Sequence, residues 1–493
     1  MKKGRNPIIM IGVDAASIDL IRANLCLLPT FRRLLESGVY QRLTSWGDLV
    51  AGSVWPSFAT GKTPGEHGIY HHIQWNPATM RLHRVTSEWL GYRPFWLDMA
   101  AAKRRVCVLD VPMTFPALEQ QGLEIVSWAS HDQLVPFFCN RSEVERELRR
   151  LFGSNPMGLE IPVWKSSATL KAVRGRLIKS AQQKGELIRM LLQLDAWDLF
   201  IAVFGETHRG GHLLWSPDGD GVNGPSADLI DVYAAVDASL GMVCEAAEAL
   251  HATIILFAVH GMARDISRAA VVPFVMDRIN QLHHAGISRS DAAPSQRSLM
   301  RFLRRVVPAP VQQAIGQFVP VELRDLVVQQ ATAGGHDWSR TPGLALLADL
   351  SGYIRLNIKG RESEGILLPQ STEELRYKAA IESSFRELVD AATAEKIVKE
   401  VTPRSMLFSG PRAEFLPDLF VTWRDVLGSS RARSKRLGAL PPEPPTGRSG
   451  NHTAEGFAVI CSPSWDFDGL PPLKSIIDLG RMVQAAVTTA DTL

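Results

Sequence analysis

The stretch Pro7-Ile-Ile-Met-Ile-Gly-Val-Asp14 is an apolar, partly β-branched run that ends in a carboxylate. A short continuous apolar run of this kind reads as a strand buried on both faces. The pattern recurs further along the chain. Leu199–Phe204 is followed by Glu206, His208 and His212, and Thr253–Ala258 is followed by Val259 and His260. Arg105–Asp110 is another strand-like run, while Ile18–Gly38, Leu187–Leu194 and the amphipathic Ser226–Leu250 read as helices. Strands alternating with helices predict an α/β fold, with a mostly parallel central sheet and helices on both faces. Ligands in such sheets collect outside the carboxyl ends of the strands. Asp14, Glu206 to His212, and His260 are therefore expected along one edge.

The remaining bulk features agree with a large globular chain. Of its 493 residues, 45% are hydrophobic and 21% charged, enough apolar content for a substantial core. A net charge of +3 gives no whole-protein footprint for nucleic acid. Cys26, Cys107, Cys139, Cys244 and Cys461 are scattered and form no CxxC pair, which fits a reducing, cytoplasmic compartment. No run is long enough for a membrane span, and the short apolar run behind Met-Lys-Lys-Gly-Arg reads as a strand, not a leader.

Two segments read as additions to an α/β core made of residues 1–275 and 336–493. Ser130–Lys184 mixes charged and apolar residues and reads as a cap over the site. Met276–Gly335 is basic, with Arg301, Arg304 and Arg305, and reads as a solvated helical lid; attraction to phosphate or a lipid surface is the sharper alternative. Gly428–Gly450 is rich in Arg, Ser, Pro and Gly and reads as a mobile loop.

Several residues have the chemistry of a metal centre. Asp14, just past a strand, can ligate a divalent cation or cap the next helix. His208 and His212, four apart, would share one face of a helix, although Gly210 and Gly211 also allow a loop. His260 ends a buried strand, and an unpaired polar group there is costly. His452 precedes a returning strand, and His336 is a lower-ranked candidate. Ser53 is placed to begin a helix, where the free amides and dipole favour an alkoxide or a bound anion; an N-cap role is the alternative. In Ser351–Glu362, a hairpin could present Arg355, Lys359 and Arg361 to an anionic substrate or simply to solvent.

The chain resembles the alkaline phosphatase superfamily, and within it the type I phosphodiesterase/nucleotide pyrophosphatase branch. The matching pieces are Gly-Val-Asp at Asp14, Thr-Gly-Lys-Thr-Pro-Gly-Glu-His-Gly-Ile at Thr60–Ile69, Gly211–His212, His260-Gly-Met262 and His452. The resemblance implies an alkaline-phosphatase-like core with helical cap or lid insertions. It also implies two divalent metal ions, usually zinc, with manganese or iron as alternatives. Asp14, Ser53 and His260 would hold the first metal, and His208, His212 and His452 the second. Ser53 would attack phosphorus to give a phospho-enzyme that is then hydrolysed. The implied substrate is a small phosphorylated or nucleotide-like molecule, and a homodimer is compatible with the pattern.

Three departures from the family pattern stand out. Val259 occupies the place of an aspartate ligand. His208 occupies the place of a carboxylate, which Glu206 could supply as a metal ligand instead. The family spacing of the nucleophile lands on Ala51, two residues before Ser53, with Ser57 as the fallback. A phosphate-binding asparagine in relatives corresponds to His72, beside His71. The competing readings are hydrolysis of another tetrahedral ester, of sulfate or phosphonate type, and a non-catalytic binding descendant. A formylglycine sulfatase is disfavoured because Pro56 lies three residues after Ser53, not two, and no Arg follows.

Overall fold

The computed structural model describes residues 6–118, 122–131, 134–158, 166–216, 224–285, 336–463 and 473–488. Arg301, Arg304 and Arg305, with most of the expected basic insertion, lie outside the described residues.

The expected α/β architecture is present. An eight-stranded sheet has the order Val39–Thr44, Glu455–Cys461, Thr253–Ala258, Ile8–Val13, Leu199–Phe204, Val106–Leu109, Gly122–Val126 and Phe138–Cys139. The five strands from Thr253–Ala258 to Gly122–Val126 run parallel, and antiparallel pairs close the two sides. Ile8–Val13 lies near the centre and is buried throughout. Its side chains alternate between two apolar layers: Ile9, Ile11 and Val13 face one, Ile8 and Met10 the other. Phe200, Ala202 and Phe204 against Leu199, Ile201 and Val203 repeat the division. A period of two along strands covered on both faces explains why these segments read as unbroken apolar runs.

The long helices Ser167–Leu192 and Ala227–Ala249 pack together over one face. Leu170, Leu177 and Ala181, within the stretch read as a cap, belong to this central core. Helices Val54–Thr60, Phe95–Ala101 and Ile476–Thr488 cover the other face. None of the described helices is long and apolar enough to cross a membrane.

A second, four-stranded antiparallel sheet has the order Gly343–Ala345, Gly352–Leu356, Leu419–Trp423 and Val398–Pro403. It carries its own apolar cluster, to which helix Val272–Ala285 contributes Val275, Met276 and Ile279. The proposed boundary at Met276 thus falls inside a packed helix. The segment read as a mobile loop contains the short strands Ala432–Ser434 and Gly438–Ala439, and buries Ala432, Leu437 and Leu440 in the same cluster.

The Thr60–Ile69 run is a built corner. Gly61 and Gly68 end two short helices at φ of 66° and 74°, a left-handed conformation that only glycine adopts without strain. Thr63 and Glu66 form a reciprocal capping box. The buried His67 accepts the Ile69 N–H at Nδ1, so its Nε2–H faces Ser57 Oγ at 3.0 Å. Burial lowers the His67 imidazole to about 3. The folded chain therefore keeps His67 neutral while the unfolded chain protonates near 6.5. The associated stability is complete above that pH and is lost as pH falls toward 3, at up to about 1.4 kcal/mol per pH unit. Denaturant unfolding between pH 7 and pH 4 should show this slope added to that of the other buried histidines, and His67→Asn should lessen the total by up to about 1.4 kcal/mol per pH unit.

Across the sheet, Lys184 is fully buried, with Nζ 2.9 Å from Asp110 and donating to the carbonyls of Ala129 and Val203. Breaking a buried pair of this kind leaves an uncompensated charge. Lys184→Met is expected to lower unfolding free energy by about 3–5 kcal/mol, read as a drop in the denaturant midpoint.

Candidate metal centre

Asp14 closes the central strand with a fully buried side chain. Its backbone is held from both directions, by its own N–H on the Phe204 carbonyl and by Thr207 Oγ1 donating to its carbonyl. Trp55 reaches over from helix Val54–Thr60, and its Nε1–H donates to Asp14 Oδ1 at 2.9 Å. Gly12 makes room for that indole: a Cβ there would stand 3.0 Å from Val203 and 3.3 Å from Trp55.

Four imidazoles gather beside this carboxylate. His208 and His212 sit on helix Glu206–Leu214, which is helical through Gly210 and Gly211. Their i, i+4 spacing puts both rings on one buried face. Gly450 lies so close to that helix that a Cβ would come within 2.3 Å of the Gly211 carbonyl oxygen. The close approach lets strand Gly450–Thr453, paired with Gly261–Arg264, bring His452 against His208. His208 Nε2 is 3.1 Å from His212 Nε2 and 3.2 Å from His452 Nε2. His260 comes from just beyond Thr253–Ala258, with Nε2 3.5 Å from Asp14 Oδ1.

The ring orientations specify which nitrogens carry protons. His212 Nδ1 faces the Gly450 carbonyl at 2.8 Å, and His260 Nδ1 the Gly261 carbonyl at 3.1 Å. His208 Nδ1 faces Asp14 Oδ2 at 2.8 Å. Oxygens of this kind only accept, so each Nδ1 donates and each Nε2 presents a lone pair. Burial drives His212 and His452 well below the usual imidazole range, with Arg448 pushing both the same way. Burial likewise lowers His208, to about 4, and His131 adds to the effect. Burial would raise Asp14, but His208 and His131 beside it prevail and hold its carboxyl well below the usual carboxylate range.

Neutral imidazoles with opposed lone pairs fit a divalent cation. Four-coordinate zinc with bonds of about 2.0–2.1 Å sets its ligand nitrogens about 3.3 Å apart. The Nε2 spacings are close to that edge. Asp14 behind His208 Nδ1 is the carboxylate that commonly fixes a ligating histidine.

Other expected residues lie elsewhere or are otherwise engaged. Glu206 is buried, with Oε1 accepting from Ser180 at 2.6 Å and the Lys184 charge nearby, and it belongs to neither histidine donor group among the described residues. Ser53 is buried where a short 3₁₀ turn meets helix Val54–Thr60, and its hydroxyl donates to the Val50 carbonyl at 2.7 Å. Ser57 is engaged by His67, whose remaining nitrogen lone pair is already used, so no base attends it there. His336 stacks on Trp338. Arg355 is fully buried in the second sheet, on Glu362 and the carbonyls of Glu414 and Leu416. It serves neither as a solvated face nor as an anion-facing arm. Arg361 joins the same knot through Asp418.

His72 is partly buried and stacks on His71, centroids 4.3 Å apart. His71 Nε2 is 3.4 Å from Asp349, and Asp349 in turn holds Arg448 at 2.9 Å. Arg448 Nη1 is buried with no hydrogen-bond partner among the described residues. His131, Asp349 and Arg448 escaped sequence reasoning. Arg448, four residues before His452, carried the only local signal.

The structure aligns over 98% of this chain and 96% of the other with phosphonoacetate hydrolase from Sinorhizobium meliloti 1021, bound to phosphonoacetate (14% identity, TM-score 0.51) or phosphonoformate (13%, 0.50). It also aligns with human ectonucleotide pyrophosphatase/phosphodiesterase 5, over 98% and 94% of the two chains, at 10% identity and a TM-score of 0.49. No curated protein sequence matches the chain. At this identity the structural likeness speaks for the alkaline-phosphatase-like fold. Residues 8–363 match the sequence pattern of the type I phosphodiesterase/nucleotide pyrophosphatase family, a span from the Asp14 strand through both His208 and His260, and the chain belongs to that family.

Proposed function

We propose that the chain is a metal-dependent hydrolase of phosphate esters or anhydrides, of phosphodiesterase or nucleotide pyrophosphatase type, working through a serine phospho-enzyme. The observation that carries this reading is the convergence of the His208, His212 and His452 Nε2 atoms next to Asp14, in a chain of this family. Divalent cations, two per chain with zinc ahead of manganese or iron, would neutralise charge on the attacking and leaving oxygens and acidify the nucleophile. The five free cysteines agree with a reducing, cytoplasmic setting.

The protein's own groups divide the remaining work. Ser53 supplies the attacking oxygen: it is buried on the element whose Trp55 touches Asp14. Its hydroxyl now donates to the Val50 carbonyl, so it must turn from that carbonyl and give up its proton to attack phosphorus. Ser53 is fully buried at the start of a helix whose residues Val54 to Ala59 are buried too, which keeps bulk water from that oxygen. Arg448 is oriented by Asp349 and retains an unsatisfied donor, suited to a phosphoryl oxygen. His72, stacked on the His71 that Asp349 also holds, extends this polar wall toward the substrate. A phosphonate offers the same tetrahedral anion, so phosphonoacetate belongs in the substrate screen beside phosphodiesters and dinucleotides.

Ser53→Ala should reduce turnover of bis-p-nitrophenyl phosphate by about 10³-fold or more; undiminished turnover would remove Ser53 as nucleophile. Prolonged chelation should abolish turnover, and added Zn²⁺, Mn²⁺ or Fe²⁺ should restore it. Arg448→Met should lower kcat/KM by about 10–100-fold, the worth of a charge-assisted hydrogen bond, with zinc content unchanged.

A further inference from the structure

We propose that His131 is a metal ligand, completing with Asp14 and His260 the centre that Val259 leaves short of a carboxylate. This deepens the proposed function and rests on its premise that the site holds divalent metal.

Val259 is fully buried within the apolar layer that also contains Met10, Val203 and Phe257. Its side chain belongs to the core and offers no donor to Asp14. His131 arrives from a different strand end, the loop after Gly122–Val126. Its Nδ1 lies 3.0 Å from Asp14 Oδ2, while His260 Nε2 lies 3.5 Å from Oδ1. The two nitrogens thus stand on opposite oxygens of the carboxylate, each at a separation close to the ligand–ligand distance of about 3.3 Å around zinc. Asp14, His131 and His208 each offer a ligand atom within 4.8 Å of the others, as do His208, His260 and His452. His208 is thus common to two overlapping donor groups. Its Nε2 faces His212 and His452, and its Nδ1 donates to Asp14. With His208 engaged in this way, the nitrogens left beside the two Asp14 oxygens are those of His131 and His260, which are assigned to the second cation.

The loop is built to hold that ring. Asp110 accepts the N–H groups of Trp128 and Ala129 at 2.8 Å each, and Lys184 pins the Ala129 carbonyl. Arg209 donates to the His131 carbonyl at 3.2 Å and to the carbonyls of Met157 and Gly158. The His131 ring stacks on His208 with centroids 3.7 Å apart and planes 20° from parallel, and its side chain is only 8% exposed. Pinning the backbone from both sides and clamping the ring are what a preorganised ligand requires.

The test measures metal directly. The full-length protein, stripped with a chelator, reloaded with Zn²⁺ and desalted, should hold about two zinc ions per chain by mass spectrometry. His131→Ala should hold about one, with circular dichroism confirming the fold, and His131→Asp should retain about two, because a carboxylate can replace the lost ligand. Independently of any variant, anomalous scattering from zinc-loaded crystals of the unmodified protein should place a zinc within bonding distance of His131 Nδ1, about 2.0–2.1 Å. Two zinc ions retained by His131→Ala, one or none in the unmodified protein, or no zinc bonded to His131 would overturn the proposal. The two readings fail separately. Phosphodiester hydrolysis with His131→Ala still holding two zinc ions removes only the ligand role. The expected zinc contents without hydrolysis of any phosphorus ester remove only the proposed function.

Discussion

The ionised carboxylate of Asp14, buried at the end of the central strand, is the constraint on which the carboxyl edge of the sheet depends. A buried charge is tolerated only when it is compensated. Trp55, His208 and His131 bring nitrogen to its two oxygens from three different segments of chain. The consequences propagate outward. Trp55 fixes the helix that begins directly after Ser53, and the Asp14 contact orients the His208 ring against which His212 and His452 are set. Gly12, Gly211 and Gly450 are small where these elements must approach closely.

A second buried charge supports the first from behind. Lys184 reaches through the helical layer to Asp110 and to the carbonyls at two strand ends. Asp110, at φ 53°, uses its oxygens to gather the turn that leads to His131. The long helix carrying Lys184 is therefore part of the machinery that shapes the site as well as a cover for the core. Ser180, one turn earlier, takes up one oxygen of Glu206 and so ties that carboxylate to the same helix. A third ionic knot, Arg355 and Arg361 with Glu362 and Asp418, stabilises the smaller sheet. Its cations are used internally, Arg355 from strand Gly352–Leu356 and Arg361 from the turn beyond it, although their spacing in the sequence suggested a hairpin facing an anion.

Much of the fold was legible because it rests on local periodicity. Leu199–Phe204 and Thr253–Ala258 appear in the sheet with the bounds their apolar runs suggest. Ser226–Leu250 is the helix Ala227–Ala249, and Ile18–Gly38 divides into Ile18–Ala23 and Pro29–Ser37, with Pro29 starting the second. The gathering of Asp14, His208, His212 and His260 followed from strand ends and one helical spacing, whereas His452 joined them through the family resemblance. The cap-like reading of Ser130–Lys184 had a different origin: long helices that cover a sheet carry charges on their outer face, and composition alone does not distinguish that from a lid. Gly428–Gly450 misled for a similar reason, since three buried side chains outweigh a polar, proline-rich composition.

By itself, the sequence determined the α/β class, the family, and the donor atoms that stand at the ends of the central strands. These depend on runs of neighbouring residues, where the period of a strand or helix fixes direction. Only the tertiary structure decided that His131 belongs beside Asp14, that Asp349 and Arg448 border the histidines, that Glu206 accepts from Ser180 and that Arg355 pairs with Glu362 in the second sheet. Those assignments depend on contacts between segments up to hundreds of residues apart. Nothing in the local pattern of a histidine or an arginine says which buried charge it will be required to meet.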